Sequence, residues 1–143
     1  MKRIVWQDAT VALLILLWVY AAGSKLLNYE YSRQQMMNQV FSANMAKLLT
    51  WMVPVSELFT AALLLFTSTR YYGLLASLSL LLAFTAYITL IKLNTFGRIP
   101  CSCGGVIAKL NWQQHLAFNI IFLLLTALSL FTNQHRKEAT EKR

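Results

Sequence analysis

The chain has only two cysteines, and they stand one residue apart in Cys101-Ser102-Cys103-Gly104-Gly105. Two thiols at this spacing have two natural chemistries: they open and close as a disulfide, or they grip a soft metal ion. They make a poor structural staple, because a Cys101–Cys103 bond would close a ring too small to remove much chain entropy. Strain in such a bond would also make it easier to reduce. Pro100 biases Ile99 toward extended backbone, and Gly104 and Gly105 permit conformations that turn amide groups toward an anion. Lys92, Arg98 and Lys109 flank the pair, and cationic neighbours favour the reactive thiolate. A permanently closed bond and two inert thiols stand as the plain alternatives. For metal the ligands are few: a closed zinc site takes four, and the nearby sequence adds only His115 to the two thiolates, whereas Cu(I) accepts two soft ligands.

The elements that carry this segment belong in lipid. Of 143 residues, 57% are hydrophobic and 13% charged, and the mean hydropathy is +0.51, too apolar for one soluble core. Four segments read as membrane spans, at about residues 5–24, 48–69, 71–93 and 113–132, with the Cys-x-Cys loop at 94–112. Each approaches the roughly 20 residues a helix needs to cross a hydrocarbon core. Backbone groups in that solvent must be satisfied internally, so the expected fold is all-α, a four-helix membrane bundle forming a single domain over residues 1–143. The short Arg70-Tyr71-Tyr72-Gly73 turn makes the second and third spans antiparallel neighbours.

A net charge of +8 would raise nucleic acid in a soluble protein, but here the basic residues sit at span ends and no nucleic-acid partner is expected. Lys2, Arg3, Arg70, Arg136, Lys137, Lys142 and Arg143 are packed into two tails and a tight turn. Lys25, Arg33, Lys47, Lys92, Arg98 and Lys109 are spread over two longer loops. Density favours both termini in the cytoplasm, with the cysteines facing outward into a compartment that supports disulfide chemistry. The opening residues imitate a secretory signal, yet Asp8, Trp18 and Tyr20 within them and the spans downstream favour a retained first helix.

Three further residues are candidates for chemistry. Glu57 is the only acidic residue well inside a span and follows Pro54 by three positions, and an intramembrane carboxyl is a functional candidate by default. Lys25, at the outward end of the first span, has a stem long enough to reach it. A neutral Glu57 that merely bonds a neighbouring helix is the competing reading, and Pro54 should kink its helix and free a carbonyl. His115 opens the fourth span on the cysteine side and shares a helix face with Trp112 and Asn119. It serves either as a proton acceptor for a thiol or as a headgroup-level hydrogen-bonding residue. Between the first two spans, Leu26, Tyr29, Met36, Met37, Val40, Phe41 and Met45 recur at spacings near three and four, the pattern of an interfacial amphipathic segment.

Gly23-Ser24-Lys25-Leu26 closing the first span, the amphipathic connector, and Pro54-Val55-Ser56-Glu57-Leu58 in the second resemble the DoxX-like four-helix membrane proteins. Pro100-Cys101-Ser102-Cys103-Gly104 before the last span narrows the resemblance to the MauE branch, redox-associated proteins named for methylamine utilisation. It covers nearly the whole chain. It implies a small bacterial inner-membrane protein that supports disulfide formation or electron delivery for partners outside the cytoplasm, as in maturation of the methylamine dehydrogenase small subunit. The bundle is also similar to the quinone-linked disulfide generators of the DsbB and vitamin K epoxide reductase type, but those use more than one cysteine pair. A chain with one pair must exchange directly with a partner protein, a quinone or another small oxidant.

The expected function is therefore thiol-disulfide exchange through Cys101 and Cys103 with an extracytoplasmic thioredoxin-like or client protein, with Lys25, Glu57 and His115 in support. The rivals are a membrane protein that captures Cu(I) at the same cysteines and a scaffold subunit of a membrane complex. Quinone use stays open, because Trp18, Tyr20, Trp51, Phe84 and Tyr87 are the aromatics of an ordinary lipid-facing or interhelical surface.

Overall fold

A computed structural model describes the backbone of residues 2–97 and 111–141 and the side chains of residues 5–97 and 111–132. Among these the secondary structure is wholly helical: α1 (Lys2–Leu27), α2 (Tyr29–Met37), α3 (Ala43–Leu65), α4 (Arg70–Lys92) and α5 (Trp112–Glu141). Four helices are long and apolar enough to cross a membrane, at Val5–Leu27, Ala43–Leu65, Arg70–Lys92 and Trp112–Thr132, with mean hydropathies of 1.7 to 2.2.

The helix directions follow from contacts at their ends. Arg70, opening α4, bonds Asp8 near the start of α1 at 2.8 Å, and Gln7 donates to Thr132 late in α5 at 2.6 Å. The start of α1, the start of α4 and the far part of α5 therefore share one end of the bundle, the termini end. The α2 connector, the end of α4 and the start of α5 belong to the other, the loop end. Around the ring, α3 lies against α1 and α4, and α5 against α4 and α1. Across the diagonal, the indole of the buried Trp18 donates to Ser77 Oγ on α4 at 2.9 Å and lies 6.4 Å from Phe84. Val11, Leu14, Leu17, Ala61, Leu64, Leu74 and Leu81 complete the core around Trp18.

Polar residues share the interior with the apolar core, while much of the outer surface is apolar. On α5, His115, Asn119, Thr126 and Ser129 are buried while Ile120, Ile121, Leu124, Leu128 and Phe131 are exposed. A soluble helix would present the reverse pattern. Lipid covers apolar side chains as well as a protein core does, so buried polar groups serve as helix-to-helix contacts.

Helix ends differ from the sequence expectation in identifiable ways. The second span begins five residues earlier than expected, where Ser42 caps α3 by accepting from Met45 N–H at 3.4 Å. It ends four residues earlier because Phe66 turns extended and the Thr69 hydroxyl takes up the Leu63 carbonyl at 2.8 Å. The last helix continues nine residues past Thr132, to Glu141. The connector contains a real helix, α2, none of whose residues is buried. Its flanks dock: Tyr29 packs on Trp51 and Phe41 stacks on Tyr87.

Gly73 marks a close approach of α4 to α3. A Cβ there would meet both the side chain and the backbone nitrogen of Leu64 at 2.9 Å, and backbone cannot swing aside. Gly73→Ala should loosen the α3–α4 hairpin and cost about 1–3 kcal/mol, and Trp18→Phe, which loses the bond to Ser77 and leaves a cavity where the larger indole packed, about 1–3 kcal/mol. Reversible unfolding in mixed micelles measures both, and an unchanged Gly73→Ala variant would contradict the close approach.

Candidate functional site

Lys25 and Glu57 meet inside the bundle. Lys25 ends the last turn of α1, and its stem runs back toward the membrane interior, as helical side chains lean toward their own N-terminus. Its Nζ donates to Glu57 Oε1 at 2.8 Å, to Glu57 Oε2 at 3.1 Å and to the Ala21 carbonyl at 3.1 Å. An ammonium has three protons, so this donor set is complete. The side chains are 17% and 1% exposed, respectively. Ala21 and Ala22 are fully buried beside the pair, and their small size lets α1 and α3 approach closely. Pro54, one turn before Glu57 and also buried, lies within α3, which continues through it. It has no N–H to offer the Thr50 carbonyl.

The same end of the bundle holds the other polar residues of interest. Tyr87 Oη donates to Gln39 Oε1 at 2.6 Å, which ties the connector to α4. His115 lies three residues into α5, buried, and Asn119 is buried one turn further along the same face, as the spacing predicted. Trp112 is half-buried. The structure thus unites Lys25 with Glu57 as expected and places His115 at their end of the bundle. Cys101 and Cys103, with Arg98, Pro100, Gly104, Gly105 and Lys109, lie outside the described residues.

What fixes α5 beside that segment went unread in the sequence. Asn111 Oδ1 accepts from the N–H groups of Gln113 and Gln114 at 3.0 and 2.9 Å, and Gln114 Oε1 accepts from Asn111 N–H at 3.0 Å. This is a reciprocal capping box. Its signature, Asn-x-x-Gln ahead of an apolar run, was legible at 111–114. It sets the start of α5 nine residues after Cys103 and so fixes the depth of His115.

Among the described residues no group of three or more His, Cys, Asp or Glu side chains is placed to hold a metal ion. The ion pair has no spare ammonium proton for a ligand. Its chemistry is electrostatic: it joins α1 to α3 at a depth where either charge alone would be expensive.

Four long apolar helices with polar interior contacts and a buried ion pair define a multi-pass helical membrane protein. The family model described as "Methylamine utilisation protein MauE" matches residues 2–132, and the chain belongs to the MauE family, whose description ties it to methylamine utilisation. No curated protein and no solved structure matches the chain.

Breaking one partner of a buried pair strands the other. Lys25→Met or Glu57→Leu alone should therefore destabilise the bundle by about 3–5 kcal/mol. The double variant should recover much of that loss, because neither charge is then left alone. Unfolding free energies of the four proteins test this as a cycle. Additive single effects would show that the two residues act independently.

Proposed function

We propose that this protein is a thiol-disulfide exchange protein of the bacterial inner membrane that works through Cys101 and Cys103 on an extracytoplasmic thioredoxin-like or client protein. The observation that carries the reading is the pair itself. The only two cysteines of the chain stand one residue apart, in the segment that leaves α4 and enters the Asn111 cap of α5. That segment starts and finishes at the loop end, together with Lys25–Glu57 and His115. Family membership agrees with the reading through the redox association stated for the resemblance.

The exchange balances without a cofactor. A thiolate of the partner attacks one sulfur of the Cys101–Cys103 disulfide, breaking that bond and forming a mixed disulfide. The partner's second thiol then attacks the mixed disulfide and frees the remaining cysteine. Two electrons and two protons pass from the partner dithiol to the pair, which oxidises the partner, and the reverse sequence reduces it. The chain has no second cysteine pair, so the cycle closes through a second protein dithiol or disulfide, a quinone or another small oxidant. Lys25 and Glu57 act as positioning residues, holding α1 against α3 at the exchange end.

The proposed orientation puts both termini in the cytoplasm. Lys2, Arg3, Arg70, Arg136 and Lys137 are concentrated toward the termini end, which the positive-inside bias turns to the cytoplasm.

Trapping the thiols in intact membranes with a mass-shifting alkylator, across dithiol buffers of stepped potential, tests the exchange. The pair should show one reversible two-electron transition within the range of known exchange proteins, roughly −120 to −270 mV. Cys101→Ser and Cys103→Ser should each abolish it while leaving membrane insertion intact. A pair that stays reduced in oxidising buffer would shift the reading to Cu(I) capture, and one that never opens would shift it to a scaffold.

A further inference from the structure

His115 is 6% exposed, and its Nε2 is buried without a partner among the described residues. Its surroundings repeat the feature. One turn along the same face, Asn119 is 8% exposed, and its amide makes no hydrogen bond among the described residues. On α4, which packs along α5, the buried Thr85 Oγ1 is also unpartnered. Thr85 lies seven residues before the end of α4 and Asn119 seven after the start of α5. In an antiparallel pair both therefore sit about 10 Å from the loop end, at a rise of about 1.5 Å per residue. Tyr87 is held toward the connector by Gln39 and Phe41. Thr85, two positions earlier, is turned about 200° from it, away from the α3 side.

A buried polar group left unmet costs about 1–3 kcal/mol, and two such atoms, His115 Nε2 and Thr85 Oγ1, together with the Asn119 amide, all within about one helical turn of depth on two packed helices, call for a common cause. Their chemistry is mixed: a hydroxyl, an amide and an imidazole nitrogen together both donate and accept. Water matches that mixture, because each molecule makes two to four bonds of either sense to otherwise unmet groups. The aqueous route is short. His115 is only three residues past the helix start, where Asn111, Gln113 and Gln114 are exposed.

We propose that His115, Asn119 and Thr85 form a water-binding site between α4 and α5 that keeps the His115 imidazole in exchange with the aqueous phase at the loop end. Its role, though not its existence, rests on the exchange function proposed above. Each disulfide reduced takes up two protons, and a wetted imidazole at that end is a group through which protons can enter and leave.

The test uses the full chain in phospholipid nanodiscs. His135→Gln leaves His115 as the only histidine, and the imidazole nitrogens are labelled with 15N. Water-to-imidazole polarisation transfer in solid-state NMR should give a clear Nε2 signal. Thr85→Val and Asn119→Leu, each verified as folded by circular dichroism and thermal unfolding, should weaken it at least threefold. Cys101→Ser/Cys103→Ser should leave it unchanged. Absence of transfer to Nε2, or transfer indifferent to both substitutions, overturns the site. So does an organic molecule co-purifying in equal amount with the protein and lost in both variants. A clear signal beside a cysteine pair that never cycles would sustain the site and remove the exchange function instead.

Discussion

Hydrocarbon offers no hydrogen bond to an ammonium, so Lys25 has to find all its acceptors inside the bundle. It takes two from Glu57 and one from the Ala21 carbonyl. That requirement organises much of the loop end. It needs α1 and α3 close together, which the buried alanines permit, and it needs Glu57 turned inward, which places Thr50, Pro54, Thr60 and Ala61 on the same buried face. A pair of this kind is weak evidence of net stability, since removing two charges from water costs about what their attraction returns. It is strong as a specifier. Any other register of α1 on α3 would strand a charge in lipid, at several kcal/mol.

The same solvent logic explains why polar residues share the core. Trp18 crosses the diagonal to Ser77, Gln7 reaches Thr132, Asp8 reaches Arg70 and Tyr87 reaches Gln39. Each contact joins elements that apolar surface alone would not select, because lipid tails compete equally for leucine. Threonine and serine in the helices mostly satisfy themselves on the carbonyl one turn back, as Thr50, Thr60, Thr89 and Thr126 do. Thr85 and Ser129, whose hydroxyls find no such carbonyl, depart from that pattern, and His115 Nε2 is likewise unpartnered among the described residues.

These features meet at one end of the molecule. The loop end holds the buried ion pair, the tethered connector and the capped start of α5, and the two spans on either side of the cysteines end and begin there. A dithiol that exchanges with outside proteins has to be accessible, and its supporting groups have to be held still. Rigid helix ends on either side of the cysteines would meet both demands of the proposed exchange. The termini end, with its exposed Asp8–Arg70 pair and basic tails, carries no comparable chemistry among the described residues.

Much of this was legible in the sequence. Apolar runs near 20 residues dictate helices in lipid whatever their partners, so the span count and fold class followed from composition and length. A lone carboxyl in a span and a lysine at a span end are each too costly to leave unpaired, so their pairing was inferable before any geometry. Residues 112, 115 and 119 share a face by helical period alone. The exact helix ends were not legible, because they depend on local choices such as the Ser42 cap, the extended Phe66 and the Asn111–Gln114 box, which apolar periodicity does not register. Nor could a sequence say that Trp18 finds Ser77, that Gly73 abuts Leu64, or that Thr85 lies at the depth of Asn119. Those are facts about which helix faces meet. Between spans of similar hydropathy, only packing and the few buried polar groups decide them.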